Sequence, residues 1–326
     1  MPTGEEIYTY TMTSENASLT VMNYGAVIVS FVPFGKDIIC GHETLEEYLA
    51  DGSSQGATIG RVANRIENGE FTMDGAIYML ETRGKKHCLH GGGCFNRRVW
   101  SYEGSTDNSV TLSYYSPDGE CGFPAGLTTK VTFTLEGTAL IISYEATPEG
   151  KTPIALTNHA YFNLNGVDGS TVYSHKARIY ANEYTAVNEE LIPTGEHPKT
   201  AGTVFDFSTM REIGPFPEGF GGYDHNLVLS PEIFKEFAGV RVGLAATVSS
   251  DYLTMNTYTD QPGIQFYTAN FLSGTPAFRG GVQRGKHIAF CLEAQTEPNC
   301  VKRGEGFYEA GEVYRQTTVY EVERNA

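Results

Sequence analysis

The stretch "IAFCLEAQ" carries Glu293 at the end of an apolar run that reads as a buried strand. Full burial of an unpaired glutamate is rare, and burial raises its proton affinity toward the range where a carboxylate serves as a base near neutral pH. A structural ion pair is the other reading of the same residue. His159 in "TNHAYFNL" stands among aromatic residues with an asparagine on either side. It reads either as a hydrogen-bonded filler in a polar seam or as a proton donor.

Other candidates have a local logic of the same two-sided kind. "CLHGGGCF" sets His90 before a glycine run that permits unusual backbone angles and close ligand approach. "GRVANRI" places Asn64, both donor and acceptor, beside Arg65, a planar fork of donors, a combination suited to sugar hydroxyls or to a plain turn with an ion pair. "GGYDHN" presents Asp224 and His225 after glycines, and a carboxylate accepting two hydroxyl protons grips a polyol as well as it forms a turn. "PGIQFYTANF" puts the Gln265 amide among apolar and aromatic side chains, where it must find partners.

The elements that must position these groups are strands. The chain has 326 residues with 20 Tyr, 18 Phe and 37 Gly, a balance that favours strands and turns over helix interiors. Asn68-Gly69, Asp74-Gly75, Asp118-Gly119, Asn165-Gly166 and Asp168-Gly169 are turn signals beside short β-prone runs, and "GEFTMDGAIYML" reads as a hairpin. Two short helices are expected, at "TLEEYLA" with Thr44 as cap and at "SPEIFKEFAG" after Ser230. With no linker and no repeat, residues 1–326 are read as a single all-β domain.

A formal charge of −16 argues against nucleic acid and anionic lipid as partners. No apolar run is long enough to cross a bilayer and the first residues lack a secretory pattern, so a soluble cytoplasmic protein is expected. The six cysteines form no CxxC pair, and free thiols are expected, with Cys88–Cys94 and Cys291–Cys300 bridges left open.

Taken in order, "GRVANRI", "LHGG", "TNHAYFNL", "LIPTGE" with "FDF", "YDHN", "PGIQFYTANF" and "FCLEAQ" resemble the aldose 1-epimerase (galactose mutarotase) family from about residue 20 to 320. The resemblance implies a large antiparallel β-sandwich of the galactose mutarotase-like supersandwich type, a sugar cleft on a strand-lined face and no cofactor. It implies interconversion of the α and β anomers of free aldohexoses such as galactose and glucose, in a monomer or homodimer. By matched motif, Glu293 is the general base, His159 the general acid and His90 a second histidine at the sugar. Asn64, Arg65, Asp224 and Gln265 are the hydroxyl-binding set. These roles predict a bell-shaped pH profile, failing in acid as Glu293 protonates and in alkali as His159 loses its proton.

The sequence departs from the family pattern at Cys88 and Cys94 in "CLHGGGCFNRR", at Cys121, Ala125 and Gly126 in "DGECGFPAGL", and in "EAQTEPN". These changes point to an altered cleft rim. Three rival readings remain: a sugar-phosphate epimerase using Arg83, Lys85 and Lys86, a sugar-binding module without catalysis, and a metal-dependent isomerase with His87, His90 and Glu293 as ligands.

Overall fold

The structure is a computed structural model and describes residues 4–325. Its backbone is a ten-stranded sheet in the order Arg211–Glu212, Lys176–Ile179, Val240–Ser249, Leu253–Thr259, Tyr314–Arg324, Ala139–Pro148, Leu127–Glu136, Ser109–Ser116 and Ser101–Ser105, with Phe234–Phe237 also paired to Val240–Ser249. A four-stranded sheet, Ala181–Tyr184, Asp224–Leu229, Gly263–Tyr267 and Cys291–Gln295, lies against it. A three-stranded sheet over Thr9–Thr13, Ala17–Met22 and Val27–Pro33 adds to the β content. The expected all-β architecture is what forms.

Alternation drives this arrangement. In Leu127–Glu136 the residues Leu127, Thr129, Val131, Phe133 and Leu135 point inward while their neighbours are half-buried or exposed, the pattern of a sheet with one face on the core. The main core is one apolar cluster running from Met12 to Val322. Tyr314–Arg324 ties the two sheets: the Tyr320 hydroxyl donates to the Leu292 carbonyl at 2.8 Å, and the Gln316 amide donates to the Ala294 carbonyl at 3.0 Å. Both bonds fix the strand that carries Glu293.

The four-stranded sheet sorts its residues by face. Leu227, Ile264, Phe266, Leu292 and Ala294 enter buried apolar surroundings. Asn226, Gln265 and Glu293 are cross-strand neighbours, as are Asp224, Tyr267 and Cys291. With a side-chain period of two, these six share the opposite face. A row of polar groups is thereby delivered to one surface by strands whose other face anchors the core.

The hairpin over residues 70–79 forms as read, with Asp74 and Gly75 both at positive φ. The helix Leu45–Ala50 also forms, closed by a capping box between Thr44 and Glu47. The helix expected after Ser230 does not. Phe234–Phe237 instead pairs antiparallel with Val240–Ser249 across a two-residue turn, Ala238-Gly239, at φ 48° and 78°. The turn matches the twist of a tight hairpin, and strand pairing outcompetes a weak capping signal.

All six cysteines are free thiols. Among the described residues no helix is long and apolar enough to cross a membrane.

Candidate active site

Glu293 and His159 both line a cleft of about 540 Å³. Glu293 projects from Cys291–Gln295 and is 2% exposed, with Oε2 lacking any protein hydrogen-bond partner. His159 follows the short strand Thr157–Asn158 and is locked by its backbone: its N–H donates to the Ala57 carbonyl at 3.0 Å and its carbonyl accepts from Gly56 at 2.9 Å. Its Nε2 stands 3.7 Å from Glu293 Oε1. Tyr161 stacks on the imidazole at 4.9 Å between centroids, and the Cys291 sulfur lies 3.6 Å from Nδ1. Burial drives the Cys291 thiol's proton affinity far up, so the group beside the imidazole is a neutral thiol. Nε2 is the ring nitrogen that faces Glu293.

His90 packs edge-on against His159, with ring centroids 5.1 Å apart. It opens the turn His90–Gly93, and the residues from His90 through Gly93 all have positive φ. Glycine is required at 91, where a Cβ would lie 2.1 Å from the Gly60 carbonyl oxygen. The Asn64 N–H donates to His90 Nδ1 at 3.3 Å and the His90 N–H donates to the Asn64 carbonyl at 3.0 Å. Nδ1 is thus an acceptor, and the His90 proton occupies Nε2. The Asn64 side-chain oxygen accepts from the Arg65 backbone at 2.8 Å, and Arg65 Nη2 is 3.5 Å from Asp224 Oδ2.

Burial sets the protonation of these groups. It raises the Glu293 carboxyl well above the ordinary carboxylate range, Asp224 adding to the rise and Arg65 opposing it. Burial lowers His159 to about 4, against small raising effects from its own backbone hydrogen bond and from Asp224 and Asp51. His90 is held well below its ordinary range by burial, then by His159 and Arg65. Strongly perturbed groups converging in one cleft are a signature of proton-transfer sites.

The structure brings Glu293, His159, His90, Asn64, Arg65 and Asp224 to the cleft lining. Gln265 stands behind them: its amide donates to Asp224 Oδ1 at 2.7 Å, orienting that carboxylate. His225 points to the opposite face, against Phe205. The altered positions expected at the rim lie elsewhere. Cys94 is buried with its thiol on the Gly60 carbonyl, the Ala125 carbonyl accepts from buried Arg61, and Cys121 lines a separate depression behind the glycine turn. His87 also lies outside the cleft lining, its Nδ1 accepting from Asn68 and Nε2 3.5 Å from Glu190. Donor atoms of His90, His159 and Glu293 do lie within 4.8 Å of one another, so a divalent cation would meet this trio and not the His87 set.

Sequence reasoning missed part of the lining. Tyr267, the exposed Phe271 and Leu272 form an apolar wall, and Arg284 contributes a guanidinium held 2.9 Å from buried Asp51 and 3.0 Å from Ser53. Neither Arg284 nor Asp51 stands in a pattern of its own, and only the fold joins them. Tyr161 had a signal, since it lies two residues from His159 in the same strand-like run.

The sequence matches the model of the family described as aldose 1-epimerase over residues 8–321. The galactose mutarotase of Sus scrofa is 37% identical over 98% of this chain and 95% of its own length. The chain belongs to the aldose 1-epimerase family. Within the family, the galactose mutarotase of Homo sapiens is 38% identical over 92% of this chain and 88% of its own. The aldose 1-epimerase of Escherichia coli K12 is 33% identical over 93% and 91%. The solved structure of an aldose epimerase homologue from C. elegans superposes with a TM-score of 0.89 at 26% identity, covering 98% of this chain and all of that one.

Proposed function

We propose that this protein interconverts the α and β anomers of free aldohexoses such as galactose and glucose, with Glu293 as general base and His159 as general acid. The observation that carries the reading is the pair itself: a buried carboxyl group whose Oε2 has no protein hydrogen-bond partner and whose Oε1 stands 3.7 Å from an imidazole held by its backbone. Opening a pyranose requires a proton to leave the anomeric hydroxyl while another reaches the ring oxygen. Glu293 takes the first proton and His159 supplies the second. Rotation about C1–C2 then presents the other aldehyde face, and the same groups reverse roles to close the ring.

The rest of the cleft serves orientation. Asp224, oriented by Gln265 and neighboured by Arg65, accepts hydroxyl protons, while Asn64 and His90 donate from the facing turn. Tyr267, Phe271 and Leu272 meet the apolar face of the ring. The chain acts as one domain in the cytoplasm, a reading supported by its continuous core and six free thiols.

The test is polarimetry of freshly dissolved α-D-galactose and α-D-glucose. Relaxation of the optical rotation is expected to accelerate with protein concentration and to be unaffected by a strong chelator. Sugar binding by calorimetry without acceleration would establish a binding module instead, and activity lost to chelator and restored by zinc would establish the metal reading.

A further inference from the structure

Behind the turn that carries His90 lie two thiols that the proposed chemistry does not use. Cys94 closes the turn His90–Gly93 at its C-terminal end, is fully buried, and places its sulfur 3.3 Å from the Gly60 carbonyl oxygen. The turn His90–Gly93 that it closes packs against the turn Glu120–Gly122, with Gly92 and Gly93 beside Cys121. Cys121 sits in the turn Glu120–Gly122 at φ 50° and, alone among the six cysteines, is half-exposed. It opens into a surface depression of about 610 Å³ that it shares with Glu81, Arg83, Arg98, Gly92 and Gly93. One half-exposed cysteine therefore lines a depression beside two arginines, and a second, buried one closes the turn packed behind it.

We propose that Cys121 and Cys94 form a peroxide-sensitive disulfide site that displaces the His90 turn and so switches off the cleft; the regulatory part rests on the function proposed above. The Cys121 thiolate attacks a peroxide oxygen, the O–O bond breaks, and hydroxide leaves to be protonated as water, giving a sulfenic acid. The Cys94 sulfur then attacks the Cys121 sulfur. The S–O bond breaks, the hydroxyl departs with the Cys94 proton as a second water, and two thiols have lost two electrons to one peroxide.

The local chemistry favours this order. The neighbouring Cys94, aided by Arg98, holds the Cys121 thiol below the ordinary thiol range against burial and the charges of Glu120 and Glu81. Cys291, the thiol nearest the acid–base pair, is buried and pushed far the other way. The structural consequence follows from bond length, because a disulfide of about 2.05 Å is far shorter than a thiol hydrogen bond. Closing it draws Cys94 away from the Gly60 carbonyl, the same atom against which Gly91 is packed without room for a Cβ. The turn has no slack to absorb that shift, and His90 moves with it.

The experiment treats the reduced protein with hydrogen peroxide and reads linked peptides by mass spectrometry, His90 ring resonances by NMR and mutarotation by polarimetry. The expected result is a Cys94–Cys121 peptide, a shifted His90 resonance and a loss of activity of about tenfold or more, as misplacement of a site group produces, all reversed by dithiothreitol. Cys121→Ser keeps its basal rate and resists peroxide; Cys94→Ala halts at the sulfenic acid, trapped by dimedone. Absence of the linked peptide, an unmoved His90, or equal inactivation of Cys121→Ser would overturn the proposal. The first two readouts need no turnover, so an inactive reduced protein would defeat the functional reading and leave the thiol site to be judged on its own.

Discussion

Burial favours the neutral form of both Glu293 and His159, so when the pair holds one proton that proton resides on the carboxyl. The catalytic form, carboxylate beside imidazolium, has the same proton count with the proton moved across the 3.7 Å gap. A sugar hydroxyl donating to Glu293 stabilises that form. The limbs of the pH profile therefore exchange the owners expected from the motifs. In acid, activity falls as the pair takes a second proton on His159, near its value of about 4; in alkali it falls as the pair loses the proton held by Glu293. Because the Asp224 charge raises the proton affinity of Glu293, Asp224→Asn moves the alkaline limb to lower pH. The dependence of kcat/KM on pH checks this, and a rate that keeps rising through the alkaline range would contradict it.

At the scale of elements, the site depends on backbone shapes that residue types announce unevenly. The strand Cys291–Gln295 was legible because an apolar run holding a lone glutamate exposes its own anomaly. The His90 turn was legible as a glycine run, but its packing against Gly60 is a contact between distant segments with no local trace. Hence Gly91→Ala is expected to fold with the turn displaced and to lose about a hundredfold in kcat/KM, the scale of a misplaced site residue. Polarimetry with a circular-dichroism check measures it, and wild-type activity would show that the turn has slack. The segment after Ser230 misled for the opposite reason: a cap followed by proline is a local helix signal, whereas the partner strand that claims Phe234–Phe237 comes from pairing. Arg284 stayed invisible on the same ground, since its partners Asp51 and Ser53 are more than two hundred residues away.

Over the whole molecule, the sandwich closes a loop of sequence that brings position 159 to position 293 and position 64 to position 90. Turn signals and alternation made the β class readable, and the ordered motifs made the family readable. The pairing of strands into one large sheet and one small polar-faced sheet was not, because it is fixed by cross-strand packing. The central claim is that one acid and one base on these two elements carry the chemistry. Polarimetry of Glu293→Gln and His159→Asn, each verified as folded, tests it most directly. The account predicts that each substitution lowers kcat by about 10²–10⁴. Near wild-type acceleration of sugar mutarotation by either variant would contradict it.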